Sequence, residues 1–246
     1  MLYASTRHSS PSVTFTRAMW NPYAADGGLY LPERLHVLPS AVLSNMSRMT
    51  MAEIGFIVFK AALDEEFSSA EIKDIVESIY TFPVPLIGLG KDAAVMELFE
   101  GPTLAFKDFG ARTTAALLKR TIESRSDKPV NIIMATTGNT GSAMATALAG
   151  MKDVNVYIVF PRGTATRALE NQFTTLGGNI HPVEVSGTLD ACSTLVTTAL
   201  SDPELNRKFT MLSVNSANIA RILGQTVYII FTESRVCLPP ILTSLS

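Results

Sequence analysis

The chain has 246 residues, 47% of them hydrophobic and 17% charged, and its 20 Lys and Arg against 22 Asp and Glu give a formal charge of −2. That hydrophobic share excludes intrinsic disorder, and the lack of a basic excess excludes a general nucleic-acid binder, which must neutralise phosphates. A mean hydropathy of +0.24 raises the question of a membrane span, but no run of 18 apolar residues occurs; even Ile54–Leu63 is broken by Lys60 and closes on Asp64, Glu65 and Glu66.

Two cysteines, Cys192 and Cys237, are too few for a disulfide framework or a structural zinc site, and His8, His36 and His181 share no ligand spacing. No metal is expected. Met1–Ala25 carries Arg7, Arg17 and several Ser and Thr with no acid before Asp26. Transit peptides share that composition, but the apolar run of a secretion signal is missing.

Asp26-Gly27-Gly28 is a turn signal, and Leu29–Pro32 reads as a short extended piece stopped by proline. Thr50 or Ser47 caps a helix through Ile54, Ile57, Val58, Ala61 and Ala62. Ser68 or Ser69 caps a second, with Ile72, Ile75, Val76 and Ile79 on one face. Phe82-Pro83-Val84-Pro85 ends that run and marks a boundary. Beyond it, strands predicted over 130–135, 154–160, 179–185 and 210–214 alternate with helices over 140–151, 164–176, 187–200 and 215–231. Four such alternations predict an α/β fold, a parallel sheet with helices on both faces and ligand groups at the carboxyl ends of its strands. Thr232–Ser246, broken by Pro239-Pro240, has no amphipathic period and reads as a tail.

Two segments could carry chemistry. Ala135–Ala143 (ATTGNTGSA) leaves a strand and opens a helix. Gly138 and Gly141 allow a tight turn with outward N–H groups, and the helix N-terminus adds partial positive charge, so the loop suits an anion. Thr137, Thr140 and Ser142 add hydroxyls and Asn139 an amide. It is neither a Walker A loop nor a dinucleotide fingerprint. A glycine-rich strand-to-helix turn without a ligand explains these residues equally well. The second segment, Glu97–Arg112 (ELFEGPTLAFKDFGAR), sets Lys107 between Phe106 and Phe109 at a helix start. Apolar neighbours and a helix N-terminus both lower a lysine pKa, and a neutral amine is what a Schiff-base lysine supplies. A solvated surface lysine is the plain alternative. Arg162 ends a strand, where an arginine meets an anionic substrate or stays solvated. Asn215–Arg221 (NSANIAR) follows the fourth strand, and Asn215 could simply cap the helix behind it.

In this order, GPTLAFKDFGAR at Gly101–Arg112 and TTGNTGSA at Thr136–Ala143 resemble the threonine synthases, pyridoxal-phosphate enzymes of the tryptophan-synthase-β-like fold. Tyr3–Arg7, Asp26–Pro32, Phe82–Pro85, Phe160–Gly163, Thr175–Asn179 and Leu212–Asn218 look like the same family in the same order. The first motif is highly specific and the second recurs across related enzymes. The likeness spans residues 1–231 and treats the Arg/Ser/Thr-rich start as folded protein.

The resemblance implies a three-layer, fold type II pyridoxal-phosphate domain over 82–231, a helical N-terminal region over 1–81 and a divergent tail over 232–246. It implies that Lys107 holds pyridoxal phosphate as a Schiff base, with Phe106 supporting the ring region. Gly138, Asn139, Thr140 and Gly141 would line the cofactor, Asn139 bonding its phenolic oxygen. Backbone N–H groups of Thr137–Gly141 would bind the amino-acid carboxylate, and Arg162, Ser216, Asn218 and Arg221 would hold a substrate phosphate. The reaction implied is O-phospho-L-homoserine and water to L-threonine and phosphate, the last step of threonine biosynthesis, in the cytoplasm. The partner is then a small molecule, with no nucleic acid or membrane. Two departures stand out. The family often reads T-S-G-D-T-G where this chain has Thr136–Gly141 with Asn139, the residue the wider fold prefers. The family's later glycine-rich loop, which cradles the cofactor phosphate, is not among these residues. This chain alone is therefore expected not to turn over, and an open sheet edge would favour self-association. The alternatives are a dehydratase-like lyase of the same fold and an inactive truncated isoform with an interaction role.

Overall fold

The computed structural model describes residues 1–90, 93–125 and 128–236. Strand β1 (Tyr3–Ser5) and the short helix α1 (Phe15–Trp20) open the chain. Strand β2 (Tyr30–Pro32) returns antiparallel to β1, so the expected extended piece is an edge strand closed by its proline. Helix α2 (Ser40–Asn45) and a 3-10 turn over Met46–Arg48 follow. Helices α3 (Met51–Leu63) and α4 (Ser69–Ile79) start after Thr50 and Ser68. Those residues win over Ser47 and Ser69 because each closes a reciprocal capping box with Glu53 or Glu71. A hairpin of β3 (Leu86–Gly88) and β4 (Ala94–Met96), which the sequence reading did not anticipate, leads to helix α5 (Lys107–Arg125).

The α/β alternation is as expected: β5 (Val130–Ala135), α6 (Asn139–Leu148), β6 (Val154–Pro161), α7 (Arg167–Thr174), β7 (Ile180–Val185), α8 (Leu189–Ser201), α9 (Pro203–Lys208), β8 (Thr210–Leu212) and α10 (Ile219–Glu233). Only α9 is additional; its start was readable, since Asp202 caps it and Pro203 occupies its first turn. The sheet is four-stranded, parallel, in the order β7-β6-β5-β8. Val130, Ile132 and Met134 of β5 face a large core shared with α5, α6 and α10. Ile133 and Ala135 face the other way, toward Val159, Cys192 and Val196 on the α8 side. Burial on both faces explains why β5 and β6 read as near-continuous apolar runs.

Helix α10 departs from expectation at both ends. It starts at Ile219 rather than Asn215, because Asn218 is the capping residue. It runs to Glu233, past the expected boundary at Phe231, and Thr232 bonds Met96 Sδ at 2.7 Å while the Arg235 guanidinium lies 3.5 Å from the Phe231 ring. Thr232 and Glu233 thus continue the helix, and residues 234–236 close it with a turn. The rest of the expected tail, with Cys237, lies outside the described residues.

The N-terminal region shares the core of the sheet region. Phe15, Met19, Ile54 and Phe59 belong to the same cluster as Phe109, Leu117 and Val227. Trp20 Nε1 donates to Thr121 Oγ1 at 3.1 Å, and the Tyr80 hydroxyl to the Gly224 carbonyl at 3.1 Å. Helices α5 and α10 touch through Gly110, where a Cβ would stand 3.2 Å from Arg221 Cβ. Among the described residues no helix is long and apolar enough to cross a membrane, and no group of His, Cys, Asp and Glu could hold a metal ion.

Candidate active site

Strand order locates the site. The chain leaves β5 for β6 on one side, while β8 comes back to pair on the other. Strand order therefore reverses between β5 and β8, and the crevice outside their carboxyl ends is where open α/β sheets bind ligands. The connection after β5 is the Thr136–Gly138 loop, and that after β8 is the Ser213–Asn218 turn. Helix α5 feeds β5 through a short link. It therefore runs back along the sheet for its 19 residues, about 28 Å, and its first residue, Lys107, lies toward the same carboxyl edge. Contact between Gly110 and Arg221, three residues into α10, confirms that placement. The lysine segment, the glycine loop and the NSANIAR turn thus meet at one edge.

Lys107 is half-buried, with its Nζ 4.8 Å from the centre of the Phe106 ring. Its pKa is lowered, first by burial and second by the positive charge of Arg221. The segment before it is clamped. Buried Asp108 accepts from Thr103 N at 2.9 Å and from Thr103 Oγ1 at 2.6 Å. Gly101 has no room for a side chain, since a Cβ would stand 2.4 Å from Asp108 Oδ2. Leu104, at φ +57°, takes the left-handed turn this clamp requires. The sequence reading passed over Asp108, although an acid at a helix start is a common capping signal. Arg112, the end of the motif, donates to the Ser78 carbonyl and to Thr81 Oγ1, tying α5 to the end of α4.

The glycine loop holds its shape by itself. Gly138 caps α6 at φ +134°, and a Cβ there would stand 2.3 Å from Leu169 Cδ2. At Gly141 it would stand 2.8 Å from Thr136 Cγ2. Thr136 Oγ1 accepts the N–H groups of Gly138, at 3.0 Å, and Gly141, at 3.2 Å. This corrects the expectation that the N–H groups of Gly138 and Gly141 face a ligand. Thr136 takes both, and the donors left for an anion are those of Thr137, Asn139 and Thr140. Thr137 and Asn139 are exposed and Thr140 is half-buried. A hydroxyl two residues before the cap was the missed signal.

The four expected phosphate ligands separate. Arg221 is 1% exposed, donates through Nη1 to the Val214 carbonyl at 3.3 Å, and has no partner at Nε. Burial lowers its pKa. It acts on the site as a buried charge. Ser216 is exposed in the turn before it. Asn218 does not face a ligand. Its Oδ1 caps α10 through Ala220 N at 3.0 Å, and its Nδ2 donates to the Met19 and Ser213 carbonyls, at 2.8 and 3.2 Å. Arg162 is exposed and paired with Glu184 of β7 at 3.1 Å, on the side of β6 away from β5. Its charge is already answered there. An open groove between residues 33–39 and α3 contains none of the site residues.

Residues 2–80 match the family described as threonine synthase N terminus, and residues 86–233 match the one described as pyridoxal-phosphate dependent enzyme. The chain belongs to the pyridoxal-phosphate dependent enzymes. Within that family it is similar to the threonine synthase of Haemophilus influenzae, 37% identical over 90% of this chain and 51% of that one. The threonine synthase of Escherichia coli is 36% identical over 92% of this chain and 52% of that one. Among solved structures, Escherichia coli threonine synthase superposes with a TM-score of 0.87 at 34% identity, covering 96% of this chain and 54% of that one. The pyridoxal-phosphate-bound threonine synthase from Brucella melitensis gives 0.89 at 31% identity, covering 97% and 53%. The chain therefore spans about half the length of the relatives it matches.

The family's cofactor is pyridoxal phosphate, and the residues present fit it. An aldehyde needs an amine that loses its proton readily, which Lys107 supplies. An anionic cofactor needs positive charge. Lys107 and Arg221 form no ion pair among the described residues, and the starts of α5 and α6 add their dipoles.

Proposed function

We propose that this chain carries the lysine half of a threonine synthase active site, acting on O-phospho-L-homoserine. The observation that carries the reading is the pairing of two buried or half-buried cations, Lys107 and Arg221, beside the Thr136–Gly141 loop at the β5–β8 switch point. Similarity to threonine synthases over both regions of the chain supports the choice of substrate.

In this reading Lys107 would hold the cofactor through its amine. Phe106 lies against the lysine, and Asn139 stands at the start of α6 to meet the cofactor's phenolic oxygen. Bound there, pyridoxal phosphate supplies an electron sink for charge developing at the substrate α-carbon. Lys107 would also be the base and acid that moves protons at the substrate α- and β-carbons, since its lowered pKa makes the neutral amine available nearer neutral pH. The N–H groups of Thr137, Asn139 and Thr140 orient the substrate carboxylate. Ser216 and the field of Arg221 attract the substrate phosphate. A cytoplasmic setting and a small-molecule partner belong to the same reading.

The test is to load the chain with pyridoxal phosphate and add O-phospho-L-homoserine or L-serine while following cofactor absorbance. A spectral change with the first and none with the second is expected. An equal response to both would move the reading to a dehydratase-like lyase. Phosphate release is expected only when the portion corresponding to the relatives' second half is supplied.

A further inference from the structure

The turn after β8 is held from two sides, and one of them is unexpected. Asn218 fixes its base by reaching the Met19 carbonyl. Asn215, at its tip, accepts from Ala217 N at 3.0 Å through Oδ1 and donates from Nδ2 to the hydroxyl oxygen of Tyr23. Tyr23 lies 192 residues earlier, in the N-terminal region.

Tyr23 is 49% exposed, so burial does not account for its position. It is set there by a stiff turn. Tyr23 bridges to Leu29, Ala24 N donates to the Gly28 carbonyl at 2.8 Å, and Gly27 takes the turn at φ +76°. Asp26 anchors the turn, accepting from Ser5 Oγ at 2.7 Å, Gly28 N at 2.9 Å and Ser9 N at 3.0 Å. An asparagine amide has a donor end and an acceptor end, and it needs two different partners to hold one orientation. Ala217 N–H takes the acceptor end and Tyr23 the donor end. As an acceptor from Asn215, the Tyr23 hydroxyl keeps its own proton free to donate.

We infer that Tyr23 is a positioning residue of the anion-binding turn. By locking the Asn215 amide it sets how the turn, with Ser216 next in line, presents to a phosphate-bearing ligand. The N-terminal region thereby shapes the substrate end of the site. This inference rests on the proposed role of the turn beside a phosphate.

The experiment uses the full chain saturated with pyridoxal phosphate, with inorganic phosphate as the titrated probe in calorimetry. Tyr23→Phe is expected to weaken phosphate binding about fivefold, the worth of one hydrogen bond, while the Tm without phosphate stays within about 2 °C. Asn215→Ala, which also loses the bond from Ala217 N, should weaken binding at least as much, and the double variant no further than Asn215→Ala alone, since the Tyr23 link is then already gone. Unchanged binding by Tyr23→Phe, additive losses, or a loss of Tm that tracks the loss of binding would each overturn the inference. A wild-type chain that does not bind phosphate would overturn the reading of the turn itself, and this inference with it. Wild-type binding matched by Tyr23→Phe would remove Tyr23 alone.

Discussion

The loops after β5 and β8 stand side by side at the carboxyl edge of the sheet, yet they are held in different ways. The first is closed by its own residues: Thr136 accepts two N–H groups from within five positions, and Gly138 takes a backbone conformation that excludes a side chain. The second has local bonds too, through Asn215 and Asn218, but it is also anchored from a distance, by a carbonyl 199 residues away at Met19 and a phenol 192 residues away at Tyr23. The loop after β5 is thus a local structure that the sheet merely carries. The turn after β8 is in addition tied to the N-terminal region that packs against it.

If that contrast is right, changes in the first loop should act locally and changes in the second should loosen two regions together. The largest effect is expected from Gly138→Val. A Cβ would stand 2.3 Å from Leu169 Cδ2. Strain and overpacking together should cost about 3–5 kcal/mol, or roughly 10 °C in Tm. Ala147→Val, on the half-buried side of the same helix, should cost about 1 kcal/mol. Equal losses in thermal melts would mean the loop is not specially shaped.

Asn218→Ala comes next. It removes the α10 cap and leaves the Met19 and Ser213 carbonyls without their donor. The expected loss is about 2–3 kcal/mol. Hydrogen exchange should rise both in α10 and in α1, whose carbonyl it holds; faster exchange confined to α10 would show that the two regions are not coupled there. Thr136→Val is nearly isosteric and should cost about 1–2 kcal/mol, with faster exchange at Gly138 and Gly141 only. Spread of that change into α1 would erase the contrast between the loops.

The smallest effect is electrostatic. Arg221 lowers the Lys107 pKa, so Arg221→Met should raise it. A lysine whose pKa is lowered in the folded state binds fewer protons there than in the unfolded chain. Stability therefore rises with pH through the interval between the two values. The pH midpoint of Schiff-base formation by Lys107 should lie below that of an ordinary lysine in the wild type and move upward in Arg221→Met. A fixed midpoint would show that burial alone sets the shift.

The same contrast explains what could be read from the residues. Apolar runs at 130–135 and 154–160 placed β5 and β6 almost to the residue, because burial on both faces leaves few polar positions to blur the pattern, while 179–185, exposed or half-buried throughout β7 except at Ile180, was marked out by Gly177-Gly178 before it and Gly187 after it. The caps at Thr50 and Ser68 were legible because a glutamate three residues on completes each box. The glycine loop was visible for the same reason: its conformation is written in adjacent residues. The hairpin at 86–96 was missed, since its exposed Ile87 and Val95 give neither a core pattern nor a clear turn signal. Asn218 was taken for a ligand and Tyr23 was not considered. Their partners are long-range, and no local period reports a contact across 199 or 192 positions. Arg162 looked available because sequence shows a charge but not the Glu184 that register brings beside it.

Lys107 is the residue on which the site turns. The direct measurement is borohydride reduction of the chain in the presence of pyridoxal phosphate, followed by peptide mapping. One dominant labelled site, Lys107, is expected, because its half-buried amine near Arg221 loses its proton more readily than an ordinary lysine. Lys107→Arg should abolish that label, since a guanidinium does not form the adduct. Label spread evenly over exposed lysines such as Lys119 and Lys128, with Lys107 no more reactive than they are, would contradict it.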